Sequence, residues 1–514
     1  MVKRIMGMVM PSQRKASLYD NLEKVLFEWP GTKEKYRISH SLAGVLAQGA
    51  SRSGKSSAVA KFIVKNWFKA GFGGLYFATR VGDADTIKKW AEDAGRANDI
   101  IIFNRDSDFK FNFMEFEMGR TDIEEQNINA IVDNLLRINE LIANFKGMGS
   151  SKNEEAFWKE TFTTFVTNSI SLMLIAGVNL SMSGLRRFIL DGFNEEDVTH
   201  YYKLISLQES SASYEEKRQA FNELQDWRDE SSFLDCFLTA NERTNLDNDE
   251  YNRMQELGDY WLRQYPKLAS KTKSIVVEMS MSVCRPFQNG ILKSHFTGGF
   301  NTELHPDRTI FERKIIIVDF GVKQFGTEGV CGSGIIKMLY QQAWERRDLR
   351  AEGPNANPVM LFIDEFQYYI NKKEDTLFTS TAGGSLVCNF LITQNIDNII
   401  MQMGDSSPES AAKSLCGNLS TKIFCANSNV ATNSWASEMI GQYFVDAQTT
   451  SISNGDVKKS FAQIMQPKVP VSHFMMLKTG RKEHNYNVET IIVQTGRAWK
   501  NGENFQQVTF SQKY

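Results

Sequence analysis

GASRSGKS, at Gly49–Ser56, is the stretch on which the reading of this chain turns. Its spacing is G-x-x-x-x-G-K-S, in which Gly49 and Gly54 let the backbone turn tightly and come close to phosphate groups. Lys55 is placed to reach β- and γ-phosphates, and the Ser56 hydroxyl to meet magnesium. Gly49, Ala50, Ser51, Arg52, Ser53, Gly54, Lys55, Ser56 and Ser57 form the expected nucleotide-binding segment. The pattern by itself often matches by chance, so its flanks decide. Gly44–Gln48 (GVLAQ) reads as a strand. Ser57–Lys69 reads as a helix with Val59, Phe62, Ile63 and Trp67 on its apolar side. Strand, glycine turn, helix is the context a phosphate loop requires.

The complementary half lies far downstream, in VMLFIDEFQ at Val359–Gln367. An apolar strand ends there in two carboxylates. Asp364 is expected in the magnesium shell, and Glu365 as the group that polarises an attacking water. An acidic pair can also merely end a strand; its pairing with the phosphate loop favours chemistry. Gln394 closes the next apolar run, Phe390–Thr393, where an amide can touch the γ-phosphate or cap a strand with no further role. The expected cofactors are ATP and Mg2+, with Ser56 and Asp364 at the metal and Glu365, Lys55 and Gln394 in catalysis.

Between the two halves the texture changes. Further strands are expected at Gly74–Ala78, Asp99–Phe103, Lys314–Asp319 and Thr421–Ala426, and a closing hairpin at Val488–Gln494 and Gln507–Phe510. From Asp122 to about Tyr265 only long helical patterns occur. The expected fold class is therefore α/β: a P-loop NTPase core with a mostly parallel central sheet and a large all-helical insertion. The expected division is 1–40 as a lead-in, 41–118 and 276–514 as two parts of the nucleotide-binding core, and 119–275 as the insertion. FNFMEFE raises the question of a base-stacking platform. Its broken alternation favours a half-buried strand instead, with Asn112 serving local backbone groups.

Bulk properties exclude several classes. A chain of 514 residues that is 42% hydrophobic and 23% charged reads as a globular protein. The most membrane-like window, Thr161–Val178, holds too many threonines, serines and asparagines for a bilayer span. Lys3 and Arg4 precede only a short Met-rich stretch, which does not read as a signal peptide. Six scattered cysteines without a C-x-x-C pair argue for free thiols and a cytoplasmic setting. The net charge of −2 means that contacts to DNA must be concentrated in a channel or loop. Lys271, Lys273, Lys372 and Lys373 are candidates, each also readable as ordinary solvated surface.

SRSGKS, LFIDEFQYY, LITQN and GNLSTKIFCANSNVATNSWASEMIG, in this order, resemble the conjugative coupling proteins of type IV secretion. These are the TraG/TraD group of the FtsK–HerA motors, and the likeness runs from about residue 40 to the end. It implies RecA-like subunits in a ring, a homo-hexamer, with ATP between subunits. It also implies a DNA translocase that recruits single-stranded DNA with its relaxase or other cargo protein, the helical insertion recognising cargo. Lys55 and Ser56, Asp364 and Glu365, and Gln394 occupy the family's functional positions.

Two departures stand out. Coupling proteins commonly begin with membrane helices, and no such segment reads here. The expectation is a cytoplasmic protein, or one held at the inner membrane through an anchor or secretion-channel partner. The stretch TSTAGGSLVCNF also lacks the arginine expected between the acidic and glutamine strands. Arg346, Arg347, Arg350 and Arg497 are the candidates for a finger from a neighbouring subunit. Two alternatives follow: a HerA-like DNA-processing or defence ATPase acting with a nuclease, and an ATP-binding recruitment scaffold with little turnover.

Overall fold

Nine strands form the central sheet of the computed structural model, which describes residues 21–120, 127–145, 152–404, 407–453 and 456–513. In chain order the strands are β1 (Val25–Glu28), β2 (Lys35–Arg37), β3 (Val45–Gln48), β4 (Gly73–Phe77), β5 (Ile100–Asn104), β6 (Ile315–Asp319) and β7 (Val359–Ile363). There follow β8 (Val387–Thr393), β9 (Thr421–Phe424), β10 (Gln442–Ser453), β11 (Asp456–Pro467), β12 (Asn487–Gln494) and β13 (Phe505–Ser511). The sheet order is β13-β12-β9-β3-β8-β7-β4-β6-β5. From β9 to β5 all neighbours run parallel, while β12 and β13 add an antiparallel hairpin at one edge.

The inner strands are apolar along almost their whole length because both faces are covered. Ile315 and Ile317 of β6 face a layer built by helices Lys61–Lys69 and Asp83–Asp93. Ile316 and Val318 face the opposite layer, which merges with the helical segment. The described residues between β5 and β6 contain helices but no named strand, as expected. Position 275 lies inside helix Ser270–Cys284, and helices continue through Asp307–Phe311 before β6 begins. The buried side chains of this region, from Ile131 to Leu304, form one continuous apolar body with the sheet face. Helix Lys152–Ile175 holds most of the membrane-like window and buries Phe165, Ile170 and Met173 in that body. Among the described residues no helix is long and apolar enough to cross a membrane. All six cysteines are free and buried.

Three sequence readings are corrected. FNFMEFE is not a strand: Phe113–Met118 is a helix, capped by the Asn112 side chain accepting from Met114 N–H at 3.2 Å. Phe113 and Phe116 share a helical face by their spacing of three, and both are buried, so no stacking platform exists there. Within the stretch read as a lead-in, β1 and β2 pair, and Phe27, Trp29 and Tyr36 enter the core beside Phe62 and Phe510; residues 1–20 lie outside the described set. The run Gly334–Leu349, between the strands at Lys314–Asp319 and Val359–Ile363, reads as a helix in the sequence, but the helix spans Val322–Glu345, with a break in helical geometry at Gly326.

That helix carries a buried ion pair. Lys337 Nζ donates to Asp375 Oδ2 at 2.5 Å and to the Tyr369 carbonyl at 2.6 Å. Gln341 Nε2 and the Asn371 N–H donate to the same carboxylate. The network pins the turn Phe366–Tyr369, which follows directly on Glu365. Removing one partner strands a buried charge. Lys337→Ala is expected to lower unfolding free energy by about 3–5 kcal/mol, read by urea denaturation; a loss under about 1 kcal/mol would contradict this reading.

Candidate nucleotide site

Strands β3, β8, β7 and β4 are neighbours and parallel, so their C-terminal ends form one rim. Such rims are where open α/β sheets place ligands. β3 ends at Gln48 and runs straight into the glycine loop. β7 ends just before Asp364, β8 just before Gln394, and β4 shortly before Arg80. Residues distant in sequence therefore meet because their strands are adjacent.

The loop is held from two sides. Gly49 N–H donates to the Gln394 carbonyl at 3.1 Å, and Ala50 N–H to the Ala426 carbonyl at 2.8 Å. Gly54 has φ +92°, and an added Cβ would lie 2.4 Å from Val488 Cγ2, so neither its backbone nor its surroundings accept a side chain. The helix begins at Lys55 with a wide turn, Lys55–Ala60, before continuing as Lys61–Lys69. Its first N–H groups have no carbonyl a turn earlier to bond, which leaves them for an anion.

Lys55 folds over this loop. Its Nζ donates to the Gly49 carbonyl at 2.6 Å and the Ala50 carbonyl at 2.9 Å. Burial pushes its ammonium below the usual lysine range, against the pull of Asp364 and Glu365. Ser56 Oγ donates to Asp364 Oδ2 at 2.5 Å. Burial raises the Asp364 carboxyl, opposed by that hydrogen bond.

Glu365 is buried and stands in the left-handed region, φ +53°. This is a costly conformation for a residue with a Cβ, and it turns the carboxylate out of the strand line. Gln367 Nε2 donates to its Oε2 at 2.8 Å, and Gln394 Nε2 to its Oε1 at 3.2 Å. Arg80 forms an ion pair with Oε1. Burial alone would raise this carboxyl. The two amides and the Arg80 guanidinium outweigh it and hold Glu365 below the ordinary carboxylate range.

All the expected catalytic and metal residues thus share one rim. Ser51 and Arg52 are exposed at the loop's crest, and Arg52 also has a left-handed backbone, φ +63°. Ser53 is buried beneath it, and Ser57 Oγ accepts from Gln512 Nε2. The finger candidates lie elsewhere. Arg347 is buried and bonds to Glu352 and to the Asn357 and Ser385 carbonyls, near the N-terminal ends of β7 and β8. Arg346 and Arg350 belong to the same end of the molecule. Arg497 pairs with Glu34 at 2.7 Å. Of the lysine candidates, Lys273 bonds the Pro266 carbonyl, while Lys271 and Lys373 are exposed. Arg80 was not singled out in the sequence. Its signal was an arginine just past the strand GLYFA, on the rim that the glycine loop defines.

The donor set fits a magnesium nucleotide. Magnesium takes hard oxygen ligands and usually keeps several waters beside one or two protein ligands. Ser56 and Asp364 supply a hydroxyl and a carboxylate already in contact, next to an ammonium seated on the loop.

Residues 358–477 match the family model described as the TraM recognition site of TraD and TraG. This segment is of the TraG/TraD type. The resemblance drawn from the ordered motifs is thereby borne out, and the matched segment contains Asp364, Glu365 and Gln394. Among curated proteins, none matches the chain. In fold it is similar to a bacterial conjugative coupling protein, TrwB, in an unbound form. The TM-score is 0.60 at 12% identity, over 96% of this chain and 89% of that one. TrwB in complex with a non-hydrolysable ATP analogue gives 0.58, and with ADP and Mg2+ 0.57, both at 12% identity over 97% and 92% of the two chains. These likenesses establish the α/β fold with its helical insertion.

Proposed function

We propose that this TraG/TraD-type chain is an ATP hydrolase that moves single-stranded DNA, with a relaxase or other cargo protein, during conjugative transfer. One observation carries the reading: Lys55, Ser56, Asp364, Glu365 and Gln394 converge on a single rim although they come from three strands. Support also comes from the family's description, which points to a TraM-like partner for the 358–477 region. TrwB complexes with an ATP analogue and with ADP and Mg2+ point to the same cofactors here. The proposed assembly is a ring of identical subunits, a hexamer. It would sit on the cytoplasmic side and reach the inner membrane through a partner.

The residues divide the work. The loop N–H groups and Lys55 bind phosphate oxygens, the ammonium exchanging its loop carbonyls for them. Ser56 and Asp364 hold the metal, which when bound neutralises charge on the phosphates. Glu365 accepts the proton of the attacking water, and Gln394 orients that water through its amide. Arg80 restrains the base, because a carboxylate paired to a guanidinium is a weaker proton acceptor. The side chain of Arg80 is half exposed (53%), free to be drawn away by a partner surface or by DNA.

The test is ATP hydrolysis by the full chain with and without single-stranded DNA. Stimulation by DNA supports the motor; tight ATP binding with no turnover in either condition overturns it. Arg80→Ala is expected to raise the DNA-independent rate about fivefold, the equivalent of about 1 kcal/mol for a partly exposed pair. A fall in that rate would show instead that Arg80 serves the reaction directly.

A further inference from the structure

At the opposite end of the sheet lies a second concave site. β12 ends at Gln494, which pairs with Thr421, the first residue of β9. The phosphate loop leaves from the other end, where Gln48 pairs with Phe424. The turn after β12 and the β1–β2 hairpin enclose a cleft of about 720 Å³. Its charged walls are Lys33, Lys35, Arg37, Arg497 and Lys500, with Glu34 as the single carboxylate lining it.

The cleft is built rather than incidental. Glu34 is buried, and its carboxylate accepts from Arg497 at 2.7 Å and from the Lys500 N–H at 2.6 Å. Lys500 Nζ donates to the Lys33 carbonyl, and Arg497 to the Lys35 carbonyl. Arg497 also lies over the Trp499 ring, 4.1 Å from its centroid. Two chain regions far apart in sequence are thus locked together by one acid, which satisfies Arg497 from beneath. Arg37 faces Glu23 at the rim, 3.5 Å away. Lys33 and Lys35 are exposed, and among the described residues neither pairs with an acid.

In a chain of net charge −2, this concentration of cations calls for an anion. We infer that the cleft between the β1–β2 hairpin and the turn after β12 binds the phosphate backbone of a nucleic-acid strand. A concave wall suits a strand better than a flat lipid surface, and the one exposed apolar side chain among its described lining residues, the small Ala498, is too short to anchor in a bilayer. No exposed aromatic lines it, so contact is to phosphates and not to bases, and binding is independent of sequence. The identity of the polyanion rests on the DNA-motor reading; the cleft itself does not.

The experiment measures anisotropy of a labelled mixed-sequence single-stranded oligonucleotide with the full chain, across a salt series. Lys33→Glu with Lys35→Glu is expected to weaken binding at least about tenfold and to flatten the salt slope by about 1.4, two contacts at 0.7 each. Lys33→Gln with Lys35→Gln should show a smaller loss, and unchanged ATP affinity in both certifies the fold. Equal binding by wild type and variants overturns the cleft and leaves the motor standing. A wild type that binds no strand but sediments with phosphatidylglycerol vesicles through these lysines overturns the strand assignment in favour of a lipid surface. A wild type that binds neither overturns the proposal and the motor reading together.

Discussion

Glu365→Gln is expected to lower ATP turnover by about 10²–10⁴-fold while triphosphate affinity stays within a few-fold. The substitution keeps the size of the side chain and removes only its capacity to take a proton. The site around it argues for this separation. Gln367 and Gln394 both donate to the carboxylate, and a glutamine carbonyl oxygen can still accept one of those bonds. Lys55, Ser56 and Asp364, which would hold the nucleotide, make no hydrogen bond to the Glu365 carboxylate. Single-turnover hydrolysis alongside calorimetry of an ATP analogue measures both quantities. Unchanged turnover would remove Glu365 from the role of base.

Lys55→Ala should fail in the other quantity. Its ammonium folds back over the loop and bonds the Gly49 and Ala50 carbonyls. Charged hydrogen bonds contribute about 1.5–3 kcal/mol each, so analogue affinity should fall about tenfold to a hundredfold. The variant should also lose most of the thermal stabilisation that saturating nucleotide gives the wild type. Full affinity in this variant would mean that triphosphate is held elsewhere.

The parts of this site that could be read in the sequence are those whose signal is local. A glycine loop, the helix after it and an apolar run ending in acids are each contained in about ten residues. Arg80 and the Lys337–Asp375 pair are different in kind. Arg80 meets Glu365 only because β4 lies beside β7, a neighbour relation that sequence order conceals. Lys337 stands in the apolar run GIIKMLY, where a lone lysine is a sign of a buried partner, but the partner is named only by the packing of its helix on the segment after Glu365. FNFMEFE misled because a short apolar run fits strand and helix alike, and Asn112 as a cap decides between them. The long pair β10 and β11 was missed altogether. Its signal was present: two β-rich runs flank an Asn-Gly dipeptide at positions 454 and 455.

The last strands of the chain touch its first functional loop. Val488 packs on Gly54, and Gln512 bonds both Ser57 and, through its carbonyl, Lys61. Translation must therefore pass residue 512 before the phosphate cradle can take its final form. A polypeptide released early by the ribosome would carry every motif for ATP and yet lack the wall against which the loop is set.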